Sequence, residues 1–162
     1  QIAPTENDSF FRMQTIQGYV HDQTAALFGG VCGNAGIFST AEDLGKLLTL
    51  ILQKGKYEGN RYLSEETVDL FTSPYPLHQC KTRGLGFFTP NNPDPSEILP
   101  KQASNQTFGH QGFTGTVCWV DPKEELIYIF LSNRVYPTVE PNNLVKSKIR
   151  LILHEKIYEA LK

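Results

Sequence analysis

The chain of 162 residues is about one domain long, and 40% of its side chains are hydrophobic, as is usual for soluble globular proteins. Charge is nearly balanced, with 15 lysines and arginines against 17 aspartates and glutamates and no basic run, so nucleic acid is not an expected partner. No apolar run approaches the roughly 18 residues of a membrane-spanning helix, so no membrane span is predicted.

The cysteines are three, an odd number, and they form no Cys-x-x-Cys motif or Cys/His cluster: Cys32, Cys80 and Cys118. We therefore expect neither a disulfide framework nor a metal site, and the sequence indicates no cofactor. Cys118 stands in an apolar segment, where it is expected to be a small core residue rather than a reactive thiol.

Two helices are predicted after a loop-rich start. Residues 1–38 show no clear hydrophobic period, contain five glycines and read as loop with short elements. A capping box at 39–42, with Ser39 or Thr40 as the cap, begins a helix that Gly55 ends. Ser64 caps a second helix that runs to about Thr72. The apolar positions of the first helix recur at helical spacing: Leu44, Leu47, Leu48, Ile51 and Leu52.

The second half of the chain predicts strands and a closing helix. A short strand is expected at 84–88, and an irregular surface excursion follows at 89–106. Strands at about 107–120 and 126–133 are joined by a turn that starts at Asp121. The second of them is apolar on both faces, which is typical of a central, covered strand.

A terminal helix is predicted from about Asn143 to Leu161, and His78 and His154 are expected at the surface. Helices followed by antiparallel strands and a closing helix indicate the α+β class. The apolar stripe predicted for the terminal helix has seven members: Val145, Ile149, Ile152, Leu153, Ile157, Ala160 and Leu161.

A histidine flanked by glycines, Gly109-His110-Gln111-Gly112, stands inside the first long strand and has two interpretations. The glycines could mark a bulge, with His110 a half-buried strand residue whose hydrogen bonds are satisfied. Alternatively, they clear space for a ligand along the strand edge, where free backbone N–H groups hold an oxyanion.

The stretch GHQGFTGT and the following VCWVDPKEELIYIFLSNRVYP resemble the third motif and next strands of the serine β-lactamase and penicillin-binding protein superfamily. The class C and DD-peptidase branch is the most similar. In that family a Lys-Thr-Gly or His-Thr-Gly triplet lines one wall of the active site. Residues 110–112 match the histidine form, with Gln111 where threonine is common. GNAGIFSTAEDLGKLLTLIL resembles the family's small-residue turn and following helix.

The resemblance implies the C-terminal part of the β-lactamase/transpeptidase-like fold, with an antiparallel sheet of about three strands and a packed C-terminal helix. Residues 1–162 would be a single partial domain, loop-rich and helical over 1–83, with strands and the terminal helix over 84–162. IAPTEND, GYVHDQTAALFGGVCGNAGIFST and GFTGTVCWVDP resemble, more narrowly, the β-lactamase-related domain fused to glycoside hydrolase family 3 enzymes in some bacteria.

The roles implied by the resemblance concern four residues, and a fifth candidate, His21, is weighed separately. The Phe113 N–H would be one oxyanion donor, and His110 would hydrogen-bond the substrate's carboxylate or the catalytic tyrosine. Gln111 would point at the substrate, and Gly112 would permit its close approach. For His21, beside Asp22, we weigh loop structure, substrate contact and catalysis; the two side chains of adjacent extended residues point to opposite faces and cannot easily pair.

The family's nucleophile motif is missing: no serine is followed three positions later by lysine, and no tyrosine or serine by asparagine two positions later. Both motifs lie earlier in the family's chain. The longer protein to which this chain would belong, here called the parent, is therefore expected to be a serine hydrolase, and this piece alone is expected to be inactive. The alternative is a non-catalytic module that binds cell-wall peptide or a partner domain. Expected partners are a small peptide, ester or β-lactam substrate and the N-terminal half of the domain; the resemblance implies a periplasmic or cell-envelope location.

The isolated chain is also expected to self-associate. Without the N-terminal part of the family's domain, an apolar sheet face and an unpaired strand edge would be exposed. A strictly monomeric profile in sedimentation at high concentration would contradict this expectation.

Overall fold

The computed structural model describes residues 2–74, 83–90 and 98–162. In chain order the elements are β1 Pro4–Asp8, β2 Gln14–Gln17, α1 Gln23–Leu27, α2 Ala41–Leu52, β3 Lys56–Tyr57, β4 Asn60–Arg61, α3 Glu65–Thr72, β5 Phe108–Gln111, β6 Val117–Asp121, β7 Leu126–Phe130, α4 Asn143–Lys146 and α5 Ile149–Ala160. Antiparallel pairs join β1 to β2 and β3 to β4, and a three-stranded antiparallel sheet has the order β5-β6-β7. The predicted α+β class is confirmed. The division of the domain near residue 83 stays a prediction.

The three strands of this sheet come from two of the predicted strands, 107–120 and 126–133. The predicted strand at 107–120 is two strands, β5 and β6, which pair with Gly109 opposite Trp119. Gly115, at φ +110°, lies in the turn between them, and the Gly112 N–H donates to the Thr116 carbonyl across it. The strand predicted at 84–88 is wrong, because Phe88 forms isolated bridges only.

Strand β7 is apolar on both faces because each face has its own core, but it lies at the edge of the described sheet and β6 lies in the centre. Ile127 and Ile129 pack on the α2 side. Tyr128 and Phe130 pack on the α5 side. The buried residues of the α2-side core are Leu48, Ile51, Val68, Phe108 and Val120; those of the α5-side core are Leu99, Val117, Trp119 and Tyr128.

Helices α2 and α3 begin where the sequence predicts. The cap of α2 is Thr40, whose hydroxyl accepts from the Asp43 N–H, so the capping box lies one residue later than 39–42. The helix ends in a Schellman motif whose left-handed residue is Lys54 (φ +52°), one position before the predicted Gly55. The Lys54 N–H donates to the Ile51 carbonyl, and the N–H of Gly55 (φ +85°) donates to the Leu50 carbonyl. Ser64 caps α3 through the Thr67 N–H.

The predicted terminal helix is broken into α4 and α5 at Lys148, which adopts the left-handed conformation (φ +52°). The predicted apolar stripe is wrong for most of its members, since only Ile149 and Ile157 are partly buried, and the exposed members are Val145, Ile152, Leu153, Ala160 and Leu161. The surface prediction for His154 is also wrong, because its side chain is 2% exposed. His78 lies outside the described residues. Leu99, 3% exposed, belongs to the core although the sequence placed it in a surface excursion.

His154 is buried between two aromatic rings of the α5-side core. Its ring centroid lies 4.3 Å from that of Tyr128 and 5.1 Å from that of Tyr158. Burial lowers the pKa of His154 to about 4, although the Asp121 carboxylate opposes the shift. The imidazole is therefore neutral near pH 7 and packs as an aromatic side chain.

We expect the free energy of unfolding to fall as the pH is lowered from about 6.5 to about 4. The unfolded chain binds a proton on His154 at about pH 6.5, whereas the folded chain binds it near pH 4. Above pH 6.5, where His154 is neutral in both states, protonation of this residue does not reduce the stability of the fold. Between about pH 6.5 and pH 4 it lowers the free energy of unfolding by roughly 2–3 kcal/mol. Urea unfolding of the wild type and His154→Phe across this range measures it. Equal pH slopes for the two proteins would contradict the assignment.

Apolar side chains are exposed between α1 and α2, among them Val31 at 93% and Ile37 at 87%. Such a surface is compatible with the expected self-association, which stays a prediction. Within the described ranges, no helix combines the length and apolar character that crossing a bilayer requires. The same ranges hold no cluster of three potential metal-binding side chains, and Cys32 and Cys118 are free thiols.

Candidate active-site strand

Among the described residues, the outer edge of β5 has a partner only at Gly109. The Gly109 N–H and carbonyl both bond to Phe88, at 3.1 and 2.8 Å, on the side away from β6. Backbone groups of alternate residues in an antiparallel strand point to the same side, so the N–H and carbonyl of Gln111 also face this edge. Phe88 bridges only Gly109 there. Within the described part of the chain, the Gln111 N–H has no partner at this edge, while the Gln111 carbonyl has only the side chain of His110.

The glycines beside His110 are explained first by packing. A Cβ on Gly109 would lie 2.1 Å from the Cys118 carbonyl oxygen and 2.3 Å from the Trp119 ring. A Cβ on Gly112 would lie 2.4 Å from Thr116 Oγ1. Gly109 excludes a side chain because β6 fills the space, whereas a side chain at Gly112 would require the Thr116 hydroxyl to move, so neither glycine is evidence by itself of a bound ligand.

His110 has an accessible side chain on the α2 side of the sheet. Its Nδ1 lies 2.9 Å from the Gln111 carbonyl oxygen, so Nδ1 carries the proton and donates, and Nε2 is left as an acceptor. Nε2 lies 3.4 Å from Arg83 Nη2, and the ring centroid is 4.9 Å from that of Phe88. Partial burial lowers the pKa of His110, and the Arg83 charge lowers it further. His110 is therefore neutral at pH 7.

Phe113 follows directly after the glycine and begins the turn to β6. Its N–H donates to no group of the described residues. Its side chain is 60% exposed and makes two specific contacts. The ring stacks on His21, with centroids 5.2 Å apart, and the Arg134 guanidinium carbon lies 4.3 Å from the ring centroid.

His21 reaches this strand from the segment between β2 and α1. Its Nε2 lies 3.3 Å from Glu6 Oε2 in β1. Asp22 serves a separate purpose, because its carboxylate caps α1 by accepting from the Ala25 N–H at 2.7 Å. The two adjacent residues thus have separate partners, as the sequence predicts. His21 is brought to Phe113 rather than to His110.

Gln111 lies on the other face of the sheet from His110, opposite Val117. There it lines a cavity of about 140 Å³ near the break between α4 and α5, together with Lys148 and Arg150. The structure therefore brings His21, His110 and the Phe113 backbone to one edge of the sheet but does not place the Gln111 side chain on the face of His110.

Two arginines were not assigned a role from the sequence. Arg83 lies over the Phe88 ring, 3.9 Å from its centroid to the guanidinium carbon, and faces His110. Arg134 contacts Phe113. The Phe113 ring lies 21 positions before Arg134, so no local sequence pattern predicts that contact, whereas Phe88 is only five positions after Arg83. Among the described residues, the arrangement offers an N–H without an acceptor and nearby positive charge, which suit an oxygen that becomes negative.

The family to which the chain belongs follows from a comparison with protein-family models. The family model described as Beta-lactamase matches residues 2–148. The chain belongs to the β-lactamase family. The resemblance noted from residues 109–137 is thereby confirmed, together with the β-lactamase-like fold.

Relatives of this β-lactamase-family chain come from enteric bacteria. A protein of Escherichia coli (strain K12), provisionally named D-alanyl-D-alanine carboxypeptidase, is 33% identical over 161 residues, covering 93% of this chain and 37% of the relative. A protein of the same name from Salmonella schwarzengrund (strain CVM19633) is 34% identical with the same coverage. The chain thus spans little more than a third of these relatives. A solved structure from Bacteroides dorei DSM 17855, provisionally named a β-lactamase, overlaps at a TM-score of 0.43 with 14% identity, covering 71% of this chain and 40% of that one.

Proposed function

We propose that this chain is the C-terminal part of a serine hydrolase that transfers the acyl group of a peptide, ester or β-lactam. The family relationship supports a fragment related to the serine hydrolases. The acyl-transfer chemistry is proposed because of the open edge of β5, where the Phe113 N–H has no acceptor among the described residues. The nucleophile is proposed to lie in the parent chain upstream of residue 1.

The Phe113 N–H acts when the nucleophile attacks the substrate carbonyl. The carbonyl oxygen gains negative charge, and a fixed N–H that donates to it stabilises that charge more than it stabilises the ground state. The second donor is proposed to come from the nucleophile's own N–H in the missing segment. An extended substrate would add to the β5 edge by pairing with the Gln111 N–H and carbonyl.

His110 is proposed to accept a hydrogen bond from a hydroxyl group. Its Nδ1 proton already points at the Gln111 carbonyl, and its low pKa keeps Nε2 unprotonated. A neutral acceptor suits the hydroxyl of a catalytic tyrosine and does not suit a substrate carboxylate, which also needs a donor. Of the two roles implied by the family resemblance, the first is therefore proposed.

Covalent labelling of the full-length parent protein tests the proposal. A fluorescent penicillin or fluorophosphonate should label the parent, and changing its Ser-x-x-Lys serine to alanine should abolish labelling. The 162-residue chain should remain unlabelled at the same concentration. A parent gene without an upstream Ser-x-x-Lys, or a parent that no acylating probe labels, would contradict catalysis and favour the binding-module alternative. The fusion to a glycoside hydrolase stays a prediction that the parent sequence decides.

A further inference from the structure

Arg134 holds the turn between β5 and β6 through two independent contacts. Its backbone N–H donates to the Thr114 carbonyl at 2.8 Å. Its guanidinium carbon lies 4.3 Å from the centroid of the Phe113 ring. Consecutive residues of the turn, one through its carbonyl and one through its side chain, are thus fixed by the same arginine.

A second arginine supports the same turn from α5. Arg150 Nη1 donates to the Gly115 carbonyl at 3.1 Å. Burial lowers the pKa of Arg150, and the Arg134 charge lowers it further, so the two cations are close enough to repel. Neither forms an ion pair within 4 Å among the described residues. Two unneutralised cations beside one turn lower the stability of the fold but favour a negative charge at that turn.

The segment that carries Arg134 is itself anchored to the N-terminal hairpin. The Asn133 side chain donates to the carbonyls of Pro4 and Thr5 in β1. The same hairpin region supplies His21, which stacks on the Phe113 ring. Arg134 is therefore linked to the hairpin through Asn133, and Arg134 and His21 both contact the Phe113 ring.

We propose that Arg134 is a positioning residue for the oxyanion-binding N–H of Phe113. This inference rests on the proposed function, because the proposed function gives the Phe113 N–H its role as an oxyanion donor. The side chain of Arg134 acts through the Phe113 ring, while the backbone bond to the Thr114 carbonyl persists in any non-proline variant at this position. Without its side chain the ring loses the contact that fixes its orientation, and the N–H direction becomes less defined. A displacement of about 1 Å at a catalytic group typically costs about 10²-fold in rate.

The first test measures acylation of the full-length parent by a chromogenic cephalosporin in stopped-flow. Arg134→Gln should lower the acylation rate constant about 10- to 100-fold while the dissociation constant of the initial complex changes less than about threefold. Arg134→Lys should give an intermediate rate, because lysine keeps the charge but lacks the planar group that stacks on a ring. Arg61→Gln is the matched control, since Arg61 binds backbone carbonyls at Lys54 and Leu63 instead.

An unchanged acylation rate in Arg134→Gln would overturn the inference. So would a rate loss matched by a weaker initial complex and a lower melting temperature, because that pattern belongs to a merely structural residue. The Arg61→Gln protein should acylate like the wild type.

A second measurement separates this inference from the proposed function. Hydrogen exchange of the Gly112 and Gly115 amides, which are bonded to Thr116 and Gly112 carbonyls, should accelerate in Arg134→Gln and not in Arg61→Gln. If the wild-type parent is not acylated, the proposed function is wrong. If exchange of the two amides is unchanged, Arg134 does not fix the turn and the inference is wrong whatever the activity.

Discussion

Replacing Phe113 with proline in the full-length parent is expected to lower the acylation rate constant by about 10²–10³-fold, equivalent to about 2.7–4 kcal/mol. Proline has no backbone N–H, so the substitution removes the proposed oxyanion donor itself. Because this N–H donates to no described residue, the substitution breaks no hydrogen bond within the described part of the chain. The rate constant for acylation by a chromogenic β-lactam measures the effect.

Phe113→Ala is the matched control for the proline variant. Alanine keeps the N–H but loses the ring that contacts His21 and Arg134, so a smaller loss of about tenfold is expected. The two variants together separate the donor from its positioning. Equal rates for Phe113→Pro and Phe113→Ala, or a proline variant that acylates like the wild type, would show that the N–H is not an oxyanion donor.

The sequence located the strand of the candidate site but not the physical reason for its glycines. The His110 triplet and the helix at 41–52 could be predicted because a short motif and a helical period are local signals. The role of Gly109 could not, because the close approach of the Trp119 ring depends on the pairing of two strands. The turn that splits 107–120 was missed for a related reason: glycines inside an apolar segment read equally as a bulge or as a turn.

Helix α5 shows how tertiary contacts override a sequence pattern. Apolar periodicity placed Ile152 and Leu153 inside and His154 outside, whereas the structure exposes the first two and buries the histidine. A neutral imidazole stacks well on Tyr128, and this advantage exists only once α5 meets β7. The break at Lys148 shifts the face that α5 presents, and no proline or glycine marks it.

Removing the Asp121 carboxylate is expected to cause the largest loss of stability in this chain. Asp121 is 1% exposed at the end of β6, and four groups donate to it. Tyr158 in α5 donates its hydroxyl at 2.7 Å, the Ser104 N–H at 2.9 Å and the Lys123 N–H at 3.1 Å, and the Ser104 hydroxyl also donates. Burial opposes ionisation, but these hydrogen bonds outweigh it and hold the pKa of Asp121 below its usual range.

Asp121→Ala should lower the free energy of unfolding by about 3 kcal/mol, because the buried Tyr158 hydroxyl and part-buried donors on Ser104 and Lys123 lose their acceptor at once. Tyr158→Phe should cost about 1–2 kcal/mol, since it removes a single one of these bonds. Asp69→Ala is the matched control: Asp69 is half exposed and pairs with Lys54 at the surface, so a loss of about 0–1 kcal/mol is expected. Urea unfolding at one fixed protein concentration measures all three.

The Asp121 bonds matter for the candidate site because they tie α5 to β6, the strand that pairs with β5. If Asp121→Ala is no more destabilising than Asp69→Ala, the carboxylate does not hold the two elements together. If Asp121→Ala is more destabilising than Asp69→Ala, it should also accelerate hydrogen exchange of the His110 amide, since His110 pairs with Cys118 in β6. Loss of stability without any change at His110 would mean that α5 detaches while the β5–β6 pairing, and with it the edge that carries Phe113, persists.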